Sequence, residues 1–287
     1  MDRATAGWIN GFIGVVIFSG SLPATRVAVM QFDPVFLTVA RAAIAGVLAL
    51  GLMLLLKQKR PSRSEFGSLL IVAAGVVIGF PLLTALALQH VTAAHSIVFI
   101  GLLPLATAIF AVIRGGERPE PAFWLFAIIG SSLVAGFALV QGITASPVGD
   151  LLMLAATILC GLGYAEGGKL SRTLGGWQVI CWALVLSLPL MIVVTITTMP
   201  ATFTGIETPA LISLAYVSLF SMLIGFVFWY RGLSQGGIAA VGQLQLLQPF
   251  FGLALAATLL NESVTWGMLA VTTAIIMCVA GARRFAR

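Results

Sequence analysis

Two glutamines, Gln245 and Gln248, stand three residues apart inside an otherwise apolar run. On a helix, residues three apart share a face. An amide held away from water is costly unless it is paired or hydrated. Such a pair can line a wet cavity and hydrogen-bond a small polar molecule. It can equally tie two helices together. A lone arginine, Arg41, also sits inside an apolar run. In hydrocarbon a charge costs at least about 2.5 kcal/mol, so Arg41 is expected to face the protein interior and pair with a carboxylate or with carbonyls. It is either a structural anchor for its helix or the holder of a substrate carboxylate. Two more residues recur as a pair: Glu117 follows Pro104 by thirteen positions, and Glu262 follows Pro249 by the same number.

The elements that carry these residues follow from composition. The chain has 287 residues, of which 60% are hydrophobic and 8% charged. Soluble domains carry roughly 25% charged residues, so lipid must be the solvent over most of this surface. The apolar runs are about 20 residues long, enough to span the roughly 30 Å hydrocarbon core as helices. They lack the alternation of barrel strands. The reading is an all-α integral membrane protein with ten transmembrane helices, near 7–29, 34–56, 66–89, 92–114, 121–141, 149–170, 176–198, 209–231, 237–260 and 264–282. Asp33 and Pro34 read as N-cap and first-turn proline of the second helix. Pro121 and Pro209 open the fifth and eighth, and Gly115-Gly116 and Gly236-Gly237 mark breaks. The first apolar stretch is too long for a signal-peptide core and is expected to be a retained helix.

Basic residues orient the bundle. Arg3, Lys57, Lys59, Arg60, Arg63, Arg114, Arg118, Lys169, Arg172, Arg231, Arg283, Arg284 and Arg287 all fall at one end of the ten-helix arrangement, 13 of the 15 lysines and arginines. Arg26 and Arg41 fall within spans. By the positive-inside rule both termini are cytoplasmic. The net charge of +6 is thereby a matter of topology, and nucleic acid is excluded as a partner.

The Pro-x12-Glu spacing repeats at an offset of 145 residues. The same offset pairs Leu69 with Leu214, Leu88 with Leu233, Ala94 with Ala239 and Gly136 with Gly281. Residues 1–145 and 146–287 therefore read as two five-helix repeats. Five is odd, so the second copy is inverted in the membrane. Inverted repeats are a feature of secondary transporters, with substrate bound near the midplane between them.

These halves, the Ala87-Leu88 to Ala93-Ala94 run, the two prolines and the two glutamates resemble the drug/metabolite transporter superfamily, EamA-type. Within it the chain looks most like bacterial amino-acid exporters, the aromatic amino-acid branch included. Gly232-Leu233 departs from the usual Ala-Leu in the second half. The resemblance implies a basket with helices three, four, eight and nine central and five and ten peripheral. It implies a multi-pass protein of a bacterial inner membrane whose partners are the bilayer and a small-molecule substrate. A monomer is expected.

The candidate substrate residues are Phe80, Thr84, Ser96, Tyr164, Gln245 and Gln248. Thr84 sits beside Phe80 and Pro81, and Tyr164 shares a face with Thr157 and Cys160. The repeat maps the glutamine face onto Ser96, Ile100, Leu103 and Thr107. Asn10, Gly14, Ser21 and Thr25 form a stripe on the first helix, whereas Gln243 points elsewhere. Pro104 and Pro249 lie about 18 Å into their helices, where bends can serve as hinges or free carbonyls to line a cavity. Pro23, Pro81 and Pro189 are similar but less central. Prolines are also ordinary in membrane helices. Arg26 is expected to snorkel to the interface, and Glu166 to pair with Lys169.

No aspartate or glutamate falls at a midplane, and His90 and His95 lie near the outer surface. Facilitated, gradient-driven export is therefore expected, with proton coupling as the alternative. Cys160, Cys181 and Cys278 are isolated core residues, so no metal and no cofactor is expected. His-Glu-x-x-His and Gly-x-Ser-x-Gly are absent, which argues against an intramembrane enzyme. Bent, interrupted helices argue against a channel. Phosphate substrates call for several buried basic residues, and only Arg41 qualifies. A cationic drug calls for a buried carboxylate, which the first helix lacks. Asn261-Glu262-Ser263 matches a glycosylation sequon by chance.

Overall fold

The computed structural model describes residues 2–91, 96, 99–140, 146–252 and 266–286, the side chains of 138, 268 and 269 excepted. Among these residues all regular structure is helical. Six helical stretches are long and apolar enough to cross a membrane: Arg3–Val29, Pro34–Leu55, Arg63–His90, Pro147–Leu170, Gly176–Thr198 and Thr208–Gly236. Leu103–Gly115 is a shorter apolar helix. Leu55, Val140 and Trp266 project outward almost fully exposed, as lipid-facing side chains do. The protein is a multi-pass membrane protein.

The spans are less regular than hydropathy predicts. The first is two helices, α1 (Arg3–Ser19) and α2 (Ser21–Val29), broken at Gly20. The break frees the Ile17 carbonyl, which accepts the Tyr216 hydroxyl instead. α3 (Pro34–Leu55) starts as expected: Asp33 accepts from the backbone N–H of Val35 at 2.9 Å and of Phe36 at 3.0 Å, with Pro34 in the first turn.

The third span runs α4 (Arg63–Val72), a π-helical stretch at Ala73–Gly79, then α5 (Phe80–His90). The span from Thr208 has the same plan: α10 (Thr208–Tyr216), a π stretch at Val217–Ile224 and α11 (Gly225–Gly236). Between them lie α6 (Leu103–Gly115), α7 (Pro121–Val140), α8 (Pro147–Leu170) and α9 (Gly176–Thr198).

Two expectations of continuous helices are corrected. Pro104 does not bend the middle of a helix. It sits in the first turn of α6, after a turn at 101–102, where its missing N–H is lost from no ladder. The helix expected from 237 begins as α12 (Ile238–Gly242) and tightens into a 3-10 stretch over Gln243–Leu247. It then resumes as helix through 248–252. Pro249 lies just after that tight stretch. The last helix is α13 (Trp266–Phe285). Ala93, Ala94, His95, Glu262 and the sequon lie outside the described residues.

Packing relies on bare backbone. α1 lies on α11, with Gly7 against Gly236 and Gly11 against Gly232. A Cβ on Gly232 would come within 2.6 Å of the Gly11 nitrogen, so only glycine permits this approach. α3 lies on α9, α8 holds both α5 and α6, and α7 pairs with α13.

Candidate substrate cavity

A cavity of about 40 Å³ lies where the broken spans meet. The α1–α2 break supplies Phe18, Ser21, Leu22 and Thr25, and α3 supplies Arg41. The first π stretch and α5 add Val76, Phe80, Pro81 and Thr84. Ile100 and Leu103 flank the turn before α6, and Tyr164 comes from α8. Ser221 on the second π stretch, Phe226 and Gln248 complete the wall. Irregular backbone is tolerated at membrane depth where it lines a cavity. π turns are rare and are frequent at functional sites.

One side of the cavity is polar. Arg41 is 6% exposed, and its Nη2 donates to Ser221 Oγ at 3.1 Å. Ser21 donates to the same oxygen at 2.8 Å. The expected carboxylate or carbonyl partner of Arg41 is thus replaced by a hydroxyl, and its Nε has no hydrogen-bond partner. Gln248 donates to the Phe18 carbonyl at 3.3 Å, one of the groups at the α1–α2 break. Thr84 is buried with its hydroxyl unpartnered.

The other side is aromatic. Tyr164 lies 5.9 Å from Phe226 and 5.3 Å from Trp229, and Phe18 lies 5.0 Å from Phe226. Tyr230 packs 5.3 Å from Phe226 and donates to the Gly163 carbonyl at 3.2 Å.

Of the residues singled out in the sequence, Phe80, Thr84, Tyr164, Gln248 and Arg41 line the cavity. Gln245 does not, but it is buried beside Tyr164, and neither of its amide atoms meets hydrogen-bond geometry. Ser96 is buried away from the cavity lining. Pro104 and Pro249 do not line it either, although each follows a residue that does. The stripe on the first span divides at Gly20. Ser21 and Thr25 reach the cavity, whereas Asn10 bonds Gln235 at 3.2 Å and Gly14 packs on Trp229. Arg26 does not snorkel: it donates to the Leu88 carbonyl near the end of α5.

Ser221 was not legible. A serine in an apolar run reads as a packing residue, and nothing in Val217–Ile224 signals a π turn.

The basic end of the bundle is held shut by two acidic residues. Glu166 is fully buried. Arg114 Nε meets it at 2.8 Å, Ser68 also donates to it, and the expected partner Lys169 lies farther away at 4.0 Å. Glu117, placed by the sequence in a plain loop, accepts from the backbone N–H groups of Ile238 and Ala239, each at 2.8 Å, and pairs with Arg172. α4, α6, α8 and α12 are thereby tied together.

Comparisons with known proteins agree with this architecture. A crystal structure of another protein superposes with a TM-score of 0.80 at 18% identity, covering 99% of this chain and 98% of that one. YdeK of Bacillus subtilis (strain 168), an uncharacterized transporter, is 71% identical over all 287 residues and over its own full length. A probable terminal-alkyne amino-acid exporter of Streptantibioticus cattleyicolor is 24% identical over 255 residues, 86% of this chain and 83% of its own. An uncharacterized transporter of Archaeoglobus fulgidus is 23% identical over 86% of this chain and 87% of its own. The profile of one family matches twice, over residues 5–140 and again over 147–283. A bundle of broken apolar helices around a small amphipathic cavity, matched over nearly its whole length by that profile, belongs to the EamA-like transporter family.

Proposed function

We propose that this protein is a secondary transporter that exports small amphipathic metabolites, amino acids foremost and aromatic ones included, by alternating access. The observation that carries the reading is the cavity: hydroxyls, an amide and a guanidinium face an aromatic layer across a space of about 40 Å³. That volume holds roughly three waters, so a metabolite enters only when the walls part. Most of the walls, α3 and α8 excepted, contain a helix break, a π stretch or a turn where movement can start. The exporter relative of Streptantibioticus cattleyicolor supports the amino-acid class.

Two inverted five-helix halves, 1–145 and 146–287, are the moving parts in this reading. The double family match supports them. So do the two π stretches and the breaks before Pro104 and near Pro249, which recur at equivalent positions. Packing follows the same two-fold logic: α1 with α11 corresponds to α8 with α5. In this reading both termini are cytoplasmic, which the basic residues at one end support, and the membrane is the bacterial inner membrane, as the resemblance to bacterial exporters suggests. The protein acts as a monomer in this scheme, with no cofactor.

Among the described lining residues there is no carboxylate, which supports transport without ion coupling. Proton coupling is the second reading, favoured by one buried acid, Glu166. Uptake of radiolabelled amino acids into proteoliposomes, with and without a pH gradient, tests both. Saturable uptake insensitive to the gradient supports the first reading. Uptake that vanishes with the gradient supports the second. No uptake of any amino acid removes the substrate class.

A further inference from the structure

Arg41 and Arg26 are two arginines within apolar spans, and they behave differently. Arg26 gives its guanidinium to the Leu88 carbonyl, a helix-end group in need of a donor. This is what an anchoring arginine does. Arg41 is more deeply buried and lines the cavity, yet its described contact is a single serine hydroxyl, and its Nε is unpartnered. A guanidinium has five donors in a planar fork that matches a carboxylate. Three of the described acids are engaged elsewhere. Asp33 caps α3, and Glu117 and Glu166 are bound at the basic end.

We propose that Arg41 is the carboxylate-binding residue of the transport cavity, and that the preferred substrate has a net charge of −1. This rests on the transport reading and shifts its substrate class from zwitterionic amino acids to their anionic derivatives. A zwitterionic amino acid brings a carboxylate for Arg41 and also an ammonium. No described lining residue is acidic, so the ammonium finds only hydroxyls and an amide, and the loaded cavity keeps a charge of +1. A monoanion, such as an N-acylated or deaminated amino acid, leaves the loaded cavity neutral. Ser221 on the guanidinium, with Ser21 bonded to it, and Thr25 in the same lining add hydroxyls to the polar side, and Phe18, Tyr164 and Phe226 receive the apolar body.

The test holds the body constant and varies the charge. N-acetylphenylalanine (−1), phenylalanine (0) and phenylalanine amide (+1), with the matching leucine series, are offered to the full-length protein. Two readouts are used: thermal stabilisation in detergent, and uptake into proteoliposomes. The expected order is anion, then zwitterion, then cation, with at least about ten-fold weaker half-saturation for the zwitterion. R41Q is expected to remove the preference. R41K keeps the charge but loses the fork, and is expected to weaken anion binding while the fold is retained. Zwitterion preference, an unchanged order in R41Q, or no binding by any member overturns the proposal. Stabilisation by the anions without uptake upholds the carboxylate site and sinks the transport reading. Uptake without charge ranking does the reverse.

Discussion

The carboxylate of Glu117 caps the helix that begins at Ile238, 121 positions further along the chain. It takes two backbone donors that a helix N-terminus would otherwise leave unsatisfied, and Arg172 holds it in place. The loop after α6 is thereby latched to the start of α12. Replacing Glu117 with alanine costs about 1 kcal/mol of cap, and the closed basic end becomes about five-fold less favoured. Cys160, fully buried beside Tyr164, reports this once Cys181 and Cys278 are replaced by serine. A water-soluble maleimide is expected to label it several-fold faster in E117A. Unchanged labelling would show that Glu117 is no latch.

Glu166 makes a sharper stability prediction. Its side chain is buried, while that of Arg114 is 41% exposed. Removing a partner from a buried charge costs about 3–5 kcal/mol; solvent around Arg114 reduces this to about 2 kcal/mol. Arg114→Ala should lower the unfolding temperature in detergent, and adding Glu166→Gln should restore part of the loss. Additive losses in the double variant would mean that the pair is not coupled.

The aromatic layer separates stability from binding. Tyr164→Ala opens a hole among Phe226, Trp229 and Phe18 and should cost about 3 kcal/mol or more. Gln248→Ala leaves that layer intact. It should raise the half-saturation of a transported substrate with a change of less than about 1 kcal/mol in stability. Equal effects of Gln248→Ala on uptake and on melting would make Gln248 a packing residue.

The glycine seam is tested by a matched pair. Gly232→Ala drives a methyl into the backbone of Gly11, which has no side chain to move aside, and should cost about 1–3 kcal/mol. Gly136→Ala in α7 meets nothing within 4 Å and should be neutral or stabilising by up to about 1 kcal/mol. Similar melting temperatures for the two variants would remove the seam from the account of packing.

Hydropathy locates the membrane-crossing stretches because lipid demands about twenty apolar residues whatever the local hydrogen bonding. It is blind to a hydrogen bond that skips one residue further, so both π stretches escaped it. Arg41 stood out because a charge in an apolar run has few explanations. Ser221, its partner, did not, because small hydroxyls also serve close packing. Asn10 was grouped with Ser21 on the assumption of one regular helix, and the break at Gly20 separates them. Glu117 looked like an ordinary loop acid because its partners are backbone N–H groups far along the chain, which no local spacing reveals.

The two wide turns begin 144 and end 145 residues apart, at 73 and 217 and at 79 and 224. A π turn behaves as one inserted residue, and separate insertions have no reason to choose the same register. On the two-repeat reading, the simplest history is a single half-length ancestor that already carried the wide turn. Such an ancestor would have had to insert in both directions and pair with its own inverted copy. Gene fusion would then have fixed one orientation for each half, with basic residues at one end as the expected record of that choice.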